Sequence, residues 1–133
     1  MTGLSHEQHQ DIQQLAATRV PAHGLGSRFY GDPLLHQADL ESIWFRGWLF
    51  VGHSCQLQEP GDYLALQVDT EPVIVIRGDD EQLGAFSNVC RHRGTILCSK
   101  SAGRIGRLVC PYHQWTYDRD GSLVSCRGMD DDL

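Results

Sequence analysis

The sequence lacks any apolar run approaching the roughly 20 residues that a membrane-spanning helix requires, which excludes a helix across a bilayer. Its opening stretch, Met1 to Gln14, has neither the basic region nor the apolar core of a secretory signal, so the cytoplasm is the expected location. There is no internal repeat and no low-complexity linker, and 133 residues suffice for one core rather than two. A net positive charge is missing as well. The 11 Lys and Arg stand against 17 Asp and Glu, and the formal charge of -6 argues against nucleic acid as a partner, because phosphate contacts need a basic surface. Acidic residues are in turn absent from one segment: between Val89 and Tyr117 the chain carries Arg91, Arg93, Lys100, Arg104 and Arg107 and no Asp or Glu. Those side chains are either solvated loop arginines or an electrostatic docking patch.

Hydrophobic content of 41% and charged content of 21% are those of a soluble globular protein. Five cysteines in a chain without a secretory signal point to metal ligation rather than to a disulfide framework, since the cytosol keeps thiols reduced. Cys55, Cys98 and Cys126 read as small buried apolar side chains, and the other two cysteines belong to the motif below.

Ser5 and Gln8 form a capping-box pattern ahead of Ile12, Leu15 and Ala16, and Pro21 forbids continuation, which predicts a short helix. Asp32-Pro33 starts a second helix, with Leu40, Ile43 and Trp44 as its apolar stripe and an end near Arg46-Gly47. The pattern then changes period. Trp48 to Gly52 reads as a short strand, Pro60-Gly61 as a turn, and Tyr63 to Val68 as a half-buried strand on Leu64, Leu66 and Val68. Val73 to Ile76 is a continuous β-branched run expected in a central strand, and the turn Gly78-Asp79-Asp80-Glu81 pairs it with Leu83 to Val89 as a hairpin. Trp115 to Tyr117 and Leu123-Val124 flank a second polar turn and predict a last hairpin, while the acidic Asp130 to Asp132 reads as a solvated end or a truncation point.

Two boxes carry the chemistry: Cys90-Arg91-His92-Arg93-Gly94 and Cys110-Pro111-Tyr112-His113-Gln114-Trp115, a C-x-H and a C-x-x-H separated by 17 residues. Each follows an expected strand, so the two loops should meet at one end of a small β-structure. Finger-type zinc sites pair two cysteines in one element and two histidines in another. Here each loop offers one thiolate and one imidazole, an order that suits a two-iron centre in which two cysteines hold one iron and two histidines the other. A mononuclear zinc site of the Cys2His2 type and four unrelated side chains remain the alternatives. His6, His9, His23, His36 and His53 show no comparable spacing and read as structural or solvated. Replacing two thiolates by neutral imidazoles leaves an oxidised two-iron core formally neutral, so an electron is added more easily. Potentials of roughly -150 to +300 mV follow, against about -400 mV for all-thiolate ferredoxins. Hydrogen bonds to the sulfurs tune the value, with backbone N–H groups of both loops and the side chains of Tyr117 and Thr116 as candidate donors.

These residues resemble the Rieske domain of the Rieske non-heme iron oxygenases, of the aromatic-ring-hydroxylating and quaternary-ammonium-demethylating type. The likeness runs from about Phe29 to Arg127 and includes Trp48-Leu49-Phe50-Val51-Gly52-His53, Pro60-Gly61-Asp62 and Asn88 to Gly94, together with Cys110 to Tyr117. The extra loop cysteines of respiratory Rieske proteins have no counterpart near Thr95 and Tyr112, which favours the oxygenase branch. Gln114 stands where many ring-hydroxylating members have glycine, and is similar to members that demethylate compounds such as glycine betaine. The resemblance implies a mostly β Rieske-type fold, a small antiparallel β-sandwich with two cluster-binding loops preceded by two short N-terminal helices. The implied division is a helical extension over 1–46, a Rieske 2Fe-2S domain over 47–129 and a tail or truncation point over 130–133.

Cys90, His92, Cys110 and His113 would hold the 2Fe-2S cluster, with Arg93, Gly94, Trp115 and Tyr117 in its shell and Arg91, Arg93 and Arg104 facing an acidic donor. The implied role is electron relay from a reductase or ferredoxin to a mononuclear non-heme Fe(II), held in the family by a catalytic domain, usually of a neighbouring subunit in a homotrimer. No histidine follows His113, so that iron's ligand triad cannot be assembled downstream within this sequence. The chain therefore reads as the N-terminal part of an oxygenase α-subunit or as a stand-alone Rieske ferredoxin, and the two N-terminal helices favour the first.

Overall fold

The computed structural model describes residues 3–129 and divides into two compact units, Met1–Leu49 and Phe50–Leu133. The acidic stretch Asp130 to Asp132 lies outside the described residues.

The first unit is helical. Helix α1 (His6–Ala17) starts at the expected capping box: the Ser5 hydroxyl accepts from the Gln8 N–H at 3.2 Å, and the Gln8 side chain accepts from the Ser5 N–H at 2.7 Å. A four-residue turn, α2 (Arg28–Gly31), precedes α3 (Pro33–Asp39), which Asp32 caps through the Leu34 N–H at 3.0 Å with Pro33 in the first turn. Helical winding continues past Asp39 in wider π form over Leu40–Trp44, closed by the Phe45 N–H on the Leu40 carbonyl at 2.9 Å. It ends close to the expected Arg46-Gly47, where the Gly47 N–H reaches the Ile43 carbonyl at 2.7 Å.

The second unit is built from antiparallel strands. One sheet has the order β3-β2-β1-β4, from β1 (Asp62–Val68), β2 (Glu71–Arg77), β3 (Leu83–Ser87) and β4 (Ala102–Arg104). The other has the order β5-β6-β7, from β5 (Leu108–Val109), β6 (Thr116–Tyr117) and β7 (Leu123–Ser125). Both hairpins expected from the sequence are present, and β2 is a central strand, with Ile74 and Ile76 fully buried. One core joins the sheets: Tyr63, Ile74 and Ile76 from the first pack with Leu108 and Tyr117 from the second, together with Cys90, Cys110 and Trp115.

Three expectations need correction. Trp48 to Gly52 forms no strand, because no neighbouring strand offers it a ladder; Trp48 is fully exposed and Phe50 nearly so. In β1 the core side is Tyr63 and Ala65 rather than Leu64, Leu66 and Val68, which are only half-buried on the opposite face. Cys55 is exposed in a single 3-10 turn (Ser54–Gln56) instead of buried, whereas Cys98 and Cys126 do pack partly buried against the core.

Candidate metal centre at the two loops

Strand β3 runs on into Cys90 and strand β5 into Cys110, and both thiols are 2% exposed. The two loops repeat one backbone frame. In the first, the Cys90 N–H donates to the Thr95 carbonyl at 2.8 Å and the Gly94 N–H to the Cys90 carbonyl at 2.9 Å. In the second, the Cys110 N–H donates to the Trp115 carbonyl at 2.8 Å and the Gln114 N–H to the Cys110 carbonyl at 3.0 Å. The fourth residue after each cysteine must then be left-handed, and it is: φ is +70° at Gly94 and +61° at Gln114. That equivalence explains why glycine suits the position Gln114 occupies. Gln114 in turn accepts through its side chain from Arg127 at 3.0 Å.

The loop ends are fastened to the sheets. Asn88, buried, donates to the Cys98 carbonyl at 2.7 Å and accepts from the Cys98 N–H at 2.9 Å, bracing the far end of the first loop. Tyr117 on β6 reaches across to the first loop. Its hydroxyl lies 3.3 Å from the Cys90 sulfur and accepts from the Arg91 N–H at 3.1 Å. Burial, with Cys90 beside it, pushes the phenol up to about 12, so the hydroxyl keeps its proton and remains a donor at physiological pH. Thr116, the other side-chain donor expected from the sequence, turns away and donates to the Gln114 carbonyl at 3.0 Å.

The histidines meet. The His92 and His113 rings are 4.8 Å apart at 61°, Tyr112 packs on His113 at 3.8 Å, and Trp115 stacks on His92 at 4.8 Å and 7°. Desolvation, followed by His113 and Arg93, lowers the His92 pKa and so favours the neutral imidazole that binds metal. Burial pushes the Cys110 thiol up, but the backbone N–H groups of Tyr112 and His113, with Cys90 and Thr95, outweigh it and leave the thiol below its ordinary value. Cys98 shows the opposite balance: burial raises its thiol against a hydrogen bond from Tyr63, as befits a neutral packing side chain.

Whether these residues fit a metal group is decided by one atom. The Nδ1 of His113 is buried and has no hydrogen-bond partner, and a buried ring nitrogen without a partner calls for one that the protein does not supply. Among the described residues no three His, Cys, Asp or Glu side chains converge on one ion position. A two-iron group requires only two protein ligands per metal. The loops therefore offer two buried thiols, one of them biased toward thiolate, and two facing imidazoles, one biased toward neutrality and one with an unsatisfied nitrogen.

Of the remaining residues singled out from the sequence, Arg93 and Gly94 lie in the first loop beside His92, and Arg91 is exposed next to Cys90. Arg104 does not join them. The β1–β4 register sets it opposite Asp62, at the other end of the sheet from the one where β3 runs into Cys90, and it pairs with the Asp62 carboxylate at 2.6 Å. Arg107 is likewise paired, with Asp118 at 2.9 Å. Among the described residues this leaves Arg91, Arg93 and Lys100 as the basic side chains of the Val89–Tyr117 segment outside an ion pair. Outside the loops, His9 Nδ1 lies 2.9 Å from the Ser5 carbonyl and His53 accepts from the Cys55 N–H, as structural histidines do. The roles of Asn88 and Tyr112 carried no separate signal in the sequence, since both depend on which chain segments fold against them.

The Rieske 2Fe-2S domain family matches residues 47–131. Over 102 residues the chain is 47% identical to the glycine betaine monooxygenase oxygenase subunit of Chromohalobacter salexigens, covering 77% of this chain and 23% of that protein. It is 42% identical over 98 residues to the benzene 1,2-dioxygenase α subunit of Pseudomonas putida, covering 74% of this chain and 22% of that protein. Among solved structures, naphthalene 1,2-dioxygenase from Rhodococcus sp. superposes with a TM-score of 0.79 at 30% identity, over 96% of this chain and 29% of that one. The quaternary ammonium Rieske monooxygenase CntA in complex with L-carnitine superposes with a TM-score of 0.72 at 38% identity, over 76% of this chain and 29% of that one. The chain thus spans about a quarter of the length of the oxygenase subunits it matches. No helix among the described residues is long and apolar enough to cross a membrane. With the match extending over more than half of its residues, the chain belongs to the Rieske 2Fe-2S domain family and takes that family's two-iron, two-sulfide cluster as its cofactor.

Proposed function

We propose that Cys90 and Cys110 hold the inner iron of the cluster and His92 and His113 the outer one, and that the domain passes single electrons within an oxygenase α-subunit. The observation that carries the ligand set is the buried, unpartnered Nδ1 of His113, on a ring that meets His92, in loops whose two cysteines are both buried. When bound, the cluster supplies a one-electron carrier of raised potential. The protein's own contributions are specific. The Tyr112 and His113 N–H groups and the Tyr117 hydroxyl solvate the thiolate sulfurs, Gly94 and Gln114 let the loops fold back on themselves, and Tyr112 and Trp115 flank the imidazoles.

Electrons enter from a reductase or ferredoxin and leave for a mononuclear non-heme iron in a catalytic domain of the same or a neighbouring subunit, within a homotrimer, for O2-dependent hydroxylation or demethylation. Support comes from the oxygenase subunits among the relatives and from the similar structure of a quaternary ammonium Rieske monooxygenase that reveals insights into inter-subunit electron transfer. The 47% identity with a glycine betaine monooxygenase subunit, against 42% with a benzene 1,2-dioxygenase subunit, favours a quaternary ammonium substrate over an aromatic ring. Residues 1–46 form the helical extension and 47–129 the cluster domain. Arg91 and Arg93, both exposed and outside any described ion pair, are the docking residues for an acidic donor. Cytoplasmic location is supported by five cysteines, none of which is in a disulfide.

Purified protein should contain two irons and two acid-labile sulfides per chain and show a Rieske electron paramagnetic resonance spectrum after reduction. Replacing His113 with alanine should abolish the visible charge-transfer bands. A colourless protein, or one that binds a single zinc ion, would overturn the assignment.

A further inference from the structure

Metal-bound histidines are ordinarily oriented by a hydrogen bond from the ring nitrogen that does not bind the metal. Among the described residues neither ring nitrogen of His92 has such a partner. What His92 has is a face. The indole of Trp115 lies parallel to it within 7°, with 4.8 Å between centroids, and Trp115 is 93% buried in the core among Ile74, Ile76 and Tyr117. Trp115 also belongs to the other loop, where its carbonyl accepts the Cys110 N–H at 2.8 Å. One residue therefore closes the second loop around its cysteine through the backbone and touches the histidine of the first loop through its side chain. The His113 ring is treated differently: its neighbour is Tyr112, tilted by 33° and largely exposed.

We propose that Trp115 is the positioning residue for His92, its buried ring face setting the plane of the imidazole and so locking the geometry of the two loops together. The inference rests on the ligand assignment above. A parallel stack lets the imidazole slide in its own plane and resists tilting out of it. Tilt is the motion that would carry the ring nitrogen's lone pair away from a metal. Tyr112, tilted and on the surface, offers His113 no parallel buried face, so the two histidines are held differently.

The test uses the cluster-loaded protein as wild type, Trp115→Phe and Trp115→Leu. Iron and sulfide content are measured first, and then the histidine nitrogen couplings of the reduced protein by pulsed electron paramagnetic resonance. Phenylalanine keeps a flat face and leucine removes it; phenylalanine also deletes the indole N–H, which is buried without an acceptor, so ring face and donor are tested apart. The expected result is wild-type couplings in W115F, and in W115L a shift in one of the two histidine couplings with the other retained. Unchanged couplings in W115L, or a shift in W115F as large as in W115L, would overturn the proposal. Should W115L take up no iron, W115F decides alone: two wild-type couplings support the proposal and two altered ones refute it. A wild-type protein without iron and sulfide would instead refute the ligand assignment, which keeps the two failures distinct.

Discussion

Tyr117→Phe isolates a single oxygen atom beside the Cys90 sulfur. The hydroxyl sits 3.3 Å from that sulfur and 3.1 Å from the Arg91 nitrogen, on a ring that is 4% exposed and held by β6. Because the phenol is pushed up to about 12, it donates to the sulfur rather than carrying charge of its own. A donor stabilises the more electron-rich state, so the bond strengthens when an electron is added and its loss lowers the reduction potential. Hydrogen bonds to charged acceptors contribute about 1.5–3 kcal/mol. If roughly half of that is gained on reduction, about 0.8–1.5 kcal/mol is lost in the variant. Since about 1.4 kcal/mol corresponds to 59 mV for one electron, the potential should fall by roughly 35–65 mV. Phenylalanine keeps the ring in the core but strands the Arg91 N–H, so folding stability should drop by about 1–3 kcal/mol in parallel. Spectroelectrochemical titration of wild type and Y117F reads the potential, and denaturant unfolding reads the stability. An unchanged or raised potential would refute the donor role, whatever the stability does.

Gln114→Gly relieves a left-handed backbone at a conformational entropy cost of similar size and loses the exposed contact to Arg127, so thermal unfolding should show a change within about 1 kcal/mol. Gln114→Val, β-branched at the same φ, should cost about 1–3 kcal/mol. Electron transfer from the donor protein should slow as ionic strength rises and should slow further in Arg91→Glu and Arg93→Glu. Arg104→Ala should leave it unchanged, and stopped-flow reduction distinguishes these cases. Arg104, followed by the Glu59 N–H, holds the Asp62 carboxyl below its ordinary value. The contribution of that pair to stability is therefore present above the unfolded carboxylate value near pH 4 and lost as pH falls through the lower folded value. Acid unfolding of Asp62→Asn should accordingly be less steep than that of wild type.

Helix starts were legible because their causes are local. Ser5 and Gln8 satisfy each other's backbone within one turn, and Asp32-Pro33 needs nothing beyond the Leu34 N–H. Strands were legible where a hairpin supplied the partner, as for β2 with β3. Trp48 to Gly52 has the composition of a strand and forms none, since composition does not provide a neighbour. β4 fails in the opposite sense. Ala102-Gly103-Arg104 has no β-branched or aromatic residue, and it is a strand only because β1 presents it with an edge, with Gly103 fitting under the Tyr63 ring. The core side of β1 was misread for a related reason: alternation tells which residues share a face, whereas the second sheet and the loops above it decide which face is covered.

The four ligand-type residues were readable from spacing, but spacing made the loops look unequal, with one residue between cysteine and histidine in the first and two in the second. In the backbone frame around each cysteine the two loops match, and the offset falls on the histidines. Both cysteines sit in the same hydrogen-bonded frame, each followed four residues later by a left-handed residue, and both sulfurs are buried to the same extent. Under the proposed assignment both thiolates would reach one iron from the same backbone frame, with the Tyr117 hydroxyl beside Cys90 setting the two sulfurs apart. With the histidines offset by one residue on matched frames, their rings stand at 61° to each other rather than face to face. Under the proposed assignment, two imidazoles so angled would both be able to hold a second iron. The glycine that usually marks such a turn is replaced in the second loop by Gln114, so the repeat is hidden in the residue types and visible only in the backbone.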